Sequence, residues 1–492
     1  MSESERQPLL APPGLGPLQA PSPNAVGETT VPPSSSTFGF WSIFITLALG
    51  AFLAALDHTI VTASWASIGS DLKQLQHSSW IATGYMLTMV TFQPLYGKLC
   101  DIFGQKACLL FVYFVFGMGC LACGLARNME ALVAARILSG IGGAGLETVA
   151  AIVLSDIIPL RQRGTWQGLI DIFWSIGGSS GAPIGGFFSD TIGWRWAFFI
   201  QVPVAAIAFL AIVFLFHQKS SQQTGQSESG TLWGKFHRVD FLGATTLLIA
   251  VSTFLLGMDN GSNVSWSSPI TYISLLLALT LSLAFVFVEA TPALAKEPFA
   301  PKDIMTRALL PCYFANFFLA GTIFCVIFQV PLYVQVVLRK SASTSGAILI
   351  PAVLSAVMGS LLAGVIMQYT RQYKKLAVIS MSFMVLGCLF ISLIAGISVS
   401  MSFCLYGMAV AMFFIRLGEG MLCTVTLIST IAIVTPEDQA KAISLNYFSR
   451  SVGALLGISI SSAAVQYSLK WFLGTALAGR EVDIGHASDI SS

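Results

Sequence analysis

Long apolar runs, each closed by a short polar or glycine-rich break, recur along the chain from about residue 40 to residue 467. A bilayer core about 30 Å thick is crossed by roughly 20 helical residues. Runs of that length lie at 40–63, 80–99, 107–126, 130–155, 165–188, 195–216, 239–258, 270–290, 309–333, 345–368, 375–397, 401–434 and 443–467. The pattern predicts thirteen membrane-spanning helices and an all-α polytopic membrane protein, because a helix satisfies its own backbone in lipid. The longest internal polar break runs from His217 to Arg238. It divides the chain into an N-terminal six-helix bundle (39–217), a cytosolic linker (218–238), two extra helices (239–290) and a C-terminal bundle (291–469). After Gln466 only Trp471–Ala478 is apolar, too short to cross a bilayer, so a polar C-terminal tail is expected over 470–492. Residues 1–38 are rich in Pro and Ser and lack the basic start and apolar stretch of a signal peptide; a disordered cytosolic tail is expected.

Composition agrees with lipid as the solvent. Only 10% of the residues are charged, against about 25% in a soluble domain. The formal net charge of +2 gives no reason to expect a nucleic acid partner. The nine cysteines fall in or beside apolar runs and read as small hydrophobes, the Cys120-Cys123 pair included; no metal site and no cofactor is expected. Lys and Arg accumulate in cytoplasmic loops. With a cytosolic N-terminus, the inner loops hold Lys98, Lys106, Arg161, Arg163, Lys219, Lys235, Arg238, Lys296, Lys302, Arg307, Arg371, Lys374, Lys375 and Lys441. The outer loops hold Lys73, Arg127, Arg195, Arg339 and Lys340, a bias close to three to one. Asn263-Val264-Ser265, an N-glycosylation sequon, then falls on the non-cytosolic side.

Several motifs stand at helix ends and inside spans. Gly97-Lys98-Leu99-Cys100-Asp101-Ile102-Phe103-Gly104-Gln105-Lys106 joins spans two and three, with glycines for a tight turn and Asp101 and Lys106 to hold helix ends. Gly364 to Lys375 is a degraded copy between spans ten and eleven. Arg136 to Gly143 on span four includes Gly140, and Gly177 to Gly186 on span five includes Gly181, Pro183 and Gly185, a pattern for close helix packing and a bend. Leu56-Asp57-His58-Thr59-Ile60-Val61 and Trp194 to Pro203 complete the set. In this order the motifs resemble those of the major facilitator superfamily, in its fourteen-span drug:proton antiporter branch. Ser155 to Gly164, Gln201 and Pro436-Glu437-Asp438-Gln439-Ala440 look most like the fungal vacuolar basic amino acid transporters. The resemblance covers about residues 40–467 and implies two pseudo-symmetric helix bundles with two extra linker helices. It also implies import of Lys, His and Arg into the vacuole in exchange for protons. The chain departs from the family at Gln105, where an Arg is usual, at Ala66, where a Pro is usual, and in an apparently missing final span. Glu5, Leu9 and Leu10 resemble an acidic dileucine sorting signal read by adaptors.

A charge in hydrocarbon is costly unless paired or wetted, so each one is a candidate for function. Asp57 is a candidate for proton or substrate handling, or else a helix-end acid. Arg136 and Glu147 are eleven residues apart, within about 20° of one helix face and about 16 Å along the axis. Gly140 and Gly143 lie between them, so the stripe reads either as a cavity wall with room for a substrate backbone or as a packing groove between two structural pairs. Asp171 sits at a depth similar to Glu147 and joins it in drawing a cation, or else pairs with Arg161 or Arg163. Arg416 and Glu419 are three apart and are expected to neutralise each other. Asn316, Gln329 and Gln335 are candidates for the second half of the cavity, and Trp65, Tyr85 and Trp174 for aromatic lining. No nucleotide-binding or hydrolytic motif is present, so an ion-driven carrier rather than an enzyme is expected. The expected protein is a monomer in the vacuolar membrane whose partners are protons, a small cationic substrate, lipid and sorting adaptors. The alternatives are a multidrug or siderophore exporter at the plasma membrane, and a non-transporting sensor or truncated remnant.

Overall fold

The computed structural model describes residues 37–74, 79–216, 241–263, 266–291, 304–340, 342–370, 372–396 and 401–477. The N-terminal tail with Glu5, Leu9 and Leu10, the whole linker (218–238), and Val264 and Ser265 of the sequon lie outside these residues. Fourteen helices are described: α1 (Thr37–Asp71), α2 (Ser79–Phe103), α3 (Gln105–Leu125), α4 (Met129–Ile157), α5 (Leu160–Thr191), α6 (Arg195–Phe199), α7 (Gln201–Leu215), α8 (Phe241–Asn263), α9 (Pro269–Ala290), α10 (Leu310–Val336), α11 (Ala342–Thr370), α12 (Tyr373–Gly396), α13 (Met401–Ile433) and α14 (Gln439–Leu477). Ile200, between α6 and α7, keeps helical dihedrals, so the two make one span. Thirteen long rods therefore stand where thirteen spans are expected, and ten of them are long and apolar enough by composition alone to cross a membrane. The stretch from Trp471 continues α14 unbroken to Leu477.

Hydroxyl side chains within the spans mostly bond backwards to their own helix, as Thr91 does to Leu87 O at 2.8 Å and Thr430 to Thr426 O at 2.8 Å. Such bonds let polar residues sit in apolar surroundings without an outside partner. Glycine decides which helices come closest. Gly177, Gly181 and Gly185 of α5 recur every fourth residue and lie on the backbone of α1 at Phe52, Leu56 and Ile60, where a Cβ would collide. The motif expected to pack helices does so here, and α5 continues as one helix through Pro183.

The two halves share a packing scheme. In the first, α1 packs on α5, and α4 holds α2 and α3; in the second, α10 packs on α14, and α13 holds α11 and α12. The main contacts between the halves, α5 with α11 and α2 with α14, are the same two partners exchanged. Both include very close approaches on the face that carries the Gly97–Lys106 turn, called here the basic face. Gly164 meets Gly364 backbone to backbone, Gly168 meets Leu361, and Gly97 meets Ala440, Lys441 and Ser444. The extra helix α8 lies against α2 and α14, where Leu87, Leu255 and Leu455 meet, and α9 packs on α8 with its outer side exposed.

The remaining motif residues are accounted for at the ends of the bundle. Gly104 holds a left-handed φ of 84° at the α2–α3 turn, a conformation that suits glycine. Lys106 donates to Val213 O at 3.2 Å, and Gln105 donates to Asp156 in place of an ion pair. Asp101 is exposed on this face. On the opposite face Asp71 accepts from the Trp194 indole at 3.0 Å and from Arg195 at 3.1 Å. The indole bond and the neighbouring guanidinium hold the Asp71 carboxyl below its usual range.

Candidate functional site

Between the halves, directly behind the basic-face contacts, is a cavity of about 110 Å³. One water needs roughly 10–15 Å³ of such space, so charges on the wall have room for hydration. Its wall is built from α1, α2, α4 and α5 of the first half and α10, α11, α13 and α14 of the second, and its charged side chains are Glu147, Asp171, Arg416, Glu419 and Arg450.

Each half brings its own charges. From α4, Glu147 accepts a hydrogen bond from the Trp174 indole of α5 at 2.9 Å. From α5, Asp171 accepts from Gln167 at 3.1 Å and from the Ser360 hydroxyl of α11; Ser360 in turn shares a 2.7 Å hydrogen bond with Thr424. In the second half Arg416 pairs with Glu419 one turn along α13, the pairing their spacing predicts. Arg450 of α14 places Nη2 3.8 Å from Glu147 Oε2 and donates from Nη1 to Cys423 Sγ at 3.1 Å. Two polar links, Asp171–Ser360 and Glu147–Arg450, therefore cross between the halves inside the cavity. Toward the opposite face the rings of His58 and Phe324 meet edge-on with centroids 5.8 Å apart.

A second charged centre lies behind this wall. Arg136 Nη1 donates to both oxygens of Asp57 at 2.8 and 2.7 Å, and Nε donates to Ile81 O at 3.1 Å. Gln201 donates to Asp57 at 3.3 Å, and the Tyr85 ring lies 4.3 Å from the guanidinium carbon. Both charged side chains are sealed, at 1% and 0% exposure.

Of the two readings of the stripe from Arg136 to Glu147, the structure takes the packing groove. The gap between Arg136 and Glu147 is not open: a Cβ on Gly140 would strike Thr88 and Tyr85, and one on Gly143 would strike the Tyr85 hydroxyl. The glycines admit helix α2 rather than a substrate, a common use of small residues in membrane helices. Arg136 belongs to a buried pair, and Glu147 to the cavity. Asp171 also lines the cavity and bonds Gln167 and Ser360; the partner Arg163 donates instead to Ile158 O. Asn316 and Gln329 are not on its wall. Asn316 is buried with Nδ2 toward Cys312 O at 3.4 Å, and Gln329 donates to Ser461 at 3.3 Å. Asn263 ends α8 on the face opposite the basic one. Sequence reasoning missed Arg450, Tyr447, His58 and Cys423. For Arg450 the signal was present, a cation inside the predicted span 443–467.

Comparison with known proteins places this geometry in context. Residues 47–458 match the family model described as Major Facilitator Superfamily. The vacuolar membrane amino acid uptake transporter fnx2 of Schizosaccharomyces pombe is 40% identical over 434 residues, 88% of this chain and 73% of that protein. The multidrug resistance protein fnx1 of the same organism is 36% identical, over 86% and 78%. Vacuolar basic amino acid transporter 2 of Saccharomyces cerevisiae is 32% identical, over 82% and 84%. The solved structure of the proton:xylose symporter XylE is similar in fold, with a TM-score of 0.62 at 13% identity, covering 90% of this chain and 91% of that one.

Proposed function

The chain belongs to the major facilitator superfamily and is a multi-pass membrane transporter rather than an enzyme; from that premise we propose that it exchanges protons for basic amino acids, loading Lys, Arg and His into the vacuole. The observation that carries this reading is the charge of the central cavity. Glu147, Asp171 and Glu419 face Arg416 and Arg450, and Glu419 is already taken by Arg416. The wall keeps a negative surplus, and the two carboxylates of the first half are those exposed to a cation. Similarity to a vacuolar amino acid uptake transporter and a vacuolar basic amino acid transporter supports the same substrate class and membrane. Asp57, in its pair with Arg136, is the proposed proton-responsive group. The basic face is cytosolic in this proposal, Asn263 faces the lumen as a glycan acceptor, and Glu5, Leu9 and Leu10 form the sorting signal.

The test uses vacuoles from cells carrying the N-terminally tagged protein and from cells lacking it. Labelled Lys, Arg and His should accumulate only in the former and only while the interior is acid. Protease added outside should remove the tag, and Leu9→Ala with Leu10→Ala should shift the tagged protein toward the cell surface. A tag protected until detergent is added refutes the orientation, and uptake unaffected by loss of the proton gradient refutes the coupling. Likeness to a multidrug resistance protein favours a second reading, export of cationic drugs, which predicts drug tolerance without amino acid accumulation.

A further inference from the structure

We propose that Arg450 is the anchor for a substrate carboxylate, so that the cavity selects zwitterionic cations and rejects amines that lack the acid group. This rests on the basic amino acid reading and narrows it. Three arginines lie deep within the described spans of α4, α13 and α14, and their surroundings differ. Arg136 is sealed behind the wall with both Asp57 oxygens on one nitrogen. Arg416 is matched by Glu419 on its own helix. Arg450 lines the cavity and holds only loose partners: a thiol, which is a weak acceptor, and Glu147 at 3.8 Å, beyond hydrogen-bond length. A guanidinium carries five donors in a planar fork that fits a carboxylate with two parallel bonds. Trp174 and Tyr447 stand against it, with ring centroids 5.9 and 5.2 Å from its central carbon, and restrict its swing.

The partner across the gap completes the argument. Glu147 belongs to the first half and Arg450 to the second, and in this structure they face each other directly. An amino acid between them would give its carboxylate to Arg450 and its α-ammonium to Glu147, with Asp171 left for a cationic side chain. One loose ion pair is exchanged for two close ones, and the substrate itself bridges the halves. A plain diamine cannot make this exchange. It would take Glu147 from Arg450 and leave the guanidinium beside a new cation with no anion to meet it, which builds rejection into the site.

The experiment compares lysine with lysine methyl ester and cadaverine, which keep cationic groups and lack the carboxylate. In wild-type vacuoles both should compete with labelled lysine at least tenfold more weakly than unlabelled lysine does. With purified protein, lysine should raise the melting temperature and cadaverine should not. Arg450→Gln should lose this discrimination, and Arg450→Lys, a point charge without the fork, should raise the KM for lysine about tenfold. Cadaverine equal to lysine in the wild type overturns the anchor, as does discrimination retained by a folded Arg450→Gln protein. If that variant does not fold, the wild-type competition series decides alone. Absence of both lysine uptake and lysine binding overturns the basic amino acid reading and the anchor with it; uptake without discrimination overturns only the anchor.

Discussion

Asp57 and Arg136 illustrate what burial does to a charge. Each is sealed, and each is tolerable only because the other is present. Removing one member of a buried pair leaves an uncompensated charge and typically costs about 3–5 kcal/mol. Asp57→Asn should therefore lower the melting temperature in detergent as well as gradient-driven uptake, and Arg136→Gln should do the same. The double variant, with neither charge left, should be more stable than the two single losses add up to. Strict additivity in a melting series would show that the two do not act as a pair. This contact was not legible in the sequence, because 79 residues and two helices separate its members. Arg416 with Glu419 was legible, because a spacing of three fixes a contact within one helix. Arg136 and Glu147 share a helix face as their spacing requires; what spacing could not reveal is that Tyr85 occupies the groove between them.

At the scale of helices, the seam between α5 and α11 closes the basic face. A Cβ on Gly364 would meet the backbone of Gly164 and Thr165 at 2.6–2.7 Å, whereas one on Gly164 would meet the more yielding Met367 methyl at 3.2 Å and Gly364 Cα at 3.0 Å. Gly364→Ala should thus impair transport more than Gly164→Ala, and Gly364→Leu should hold the seam apart. The Thr165 hydroxyl and Gln368 Oε1 lie 3.4 Å apart across it. In a background without native cysteines, Thr165→Cys with Gln368→Cys should cross-link readily, and adding Gly364→Leu should abolish the cross-link. An undiminished cross-link would mean that the glycines are not what closes this face. The helices themselves were legible because a bilayer demands about 20 apolar residues per crossing, a constraint few soluble folds impose. The end of α14 was not: Trp471–Leu477 is too short to cross alone, but a helix already under way extends through it.

For the whole molecule, the exchanged contacts α5–α11 and α2–α14 give two symmetric halves that meet around one cavity. The cavity wall carries three carboxylates and two guanidiniums, so its carboxylates outnumber its guanidiniums by one. That surplus has an electrical consequence. In the exchange proposed above, a proton or a basic amino acid adds the one positive charge that offsets it, so the carrier would be neutral on both loaded legs of its cycle and charged only when bare. Moving a bare unit charge through a potential of 100 mV involves about 2.3 kcal/mol, in addition to exposing it to a low dielectric. On that proposal the unloaded carrier is the species held back, which would make the protein an exchanger rather than a leak. Exchange of one proton out for one cation in would transfer no net charge, so on this proposal the pH difference alone supplies the driving force. In acid-loaded vesicles nigericin, which dissipates the pH difference, should abolish lysine accumulation. Valinomycin with potassium, which dissipates the voltage, should change it by less than about twofold. Strong inhibition by valinomycin would mean that the cycle carries current and that the cavity's charges do not balance in this way.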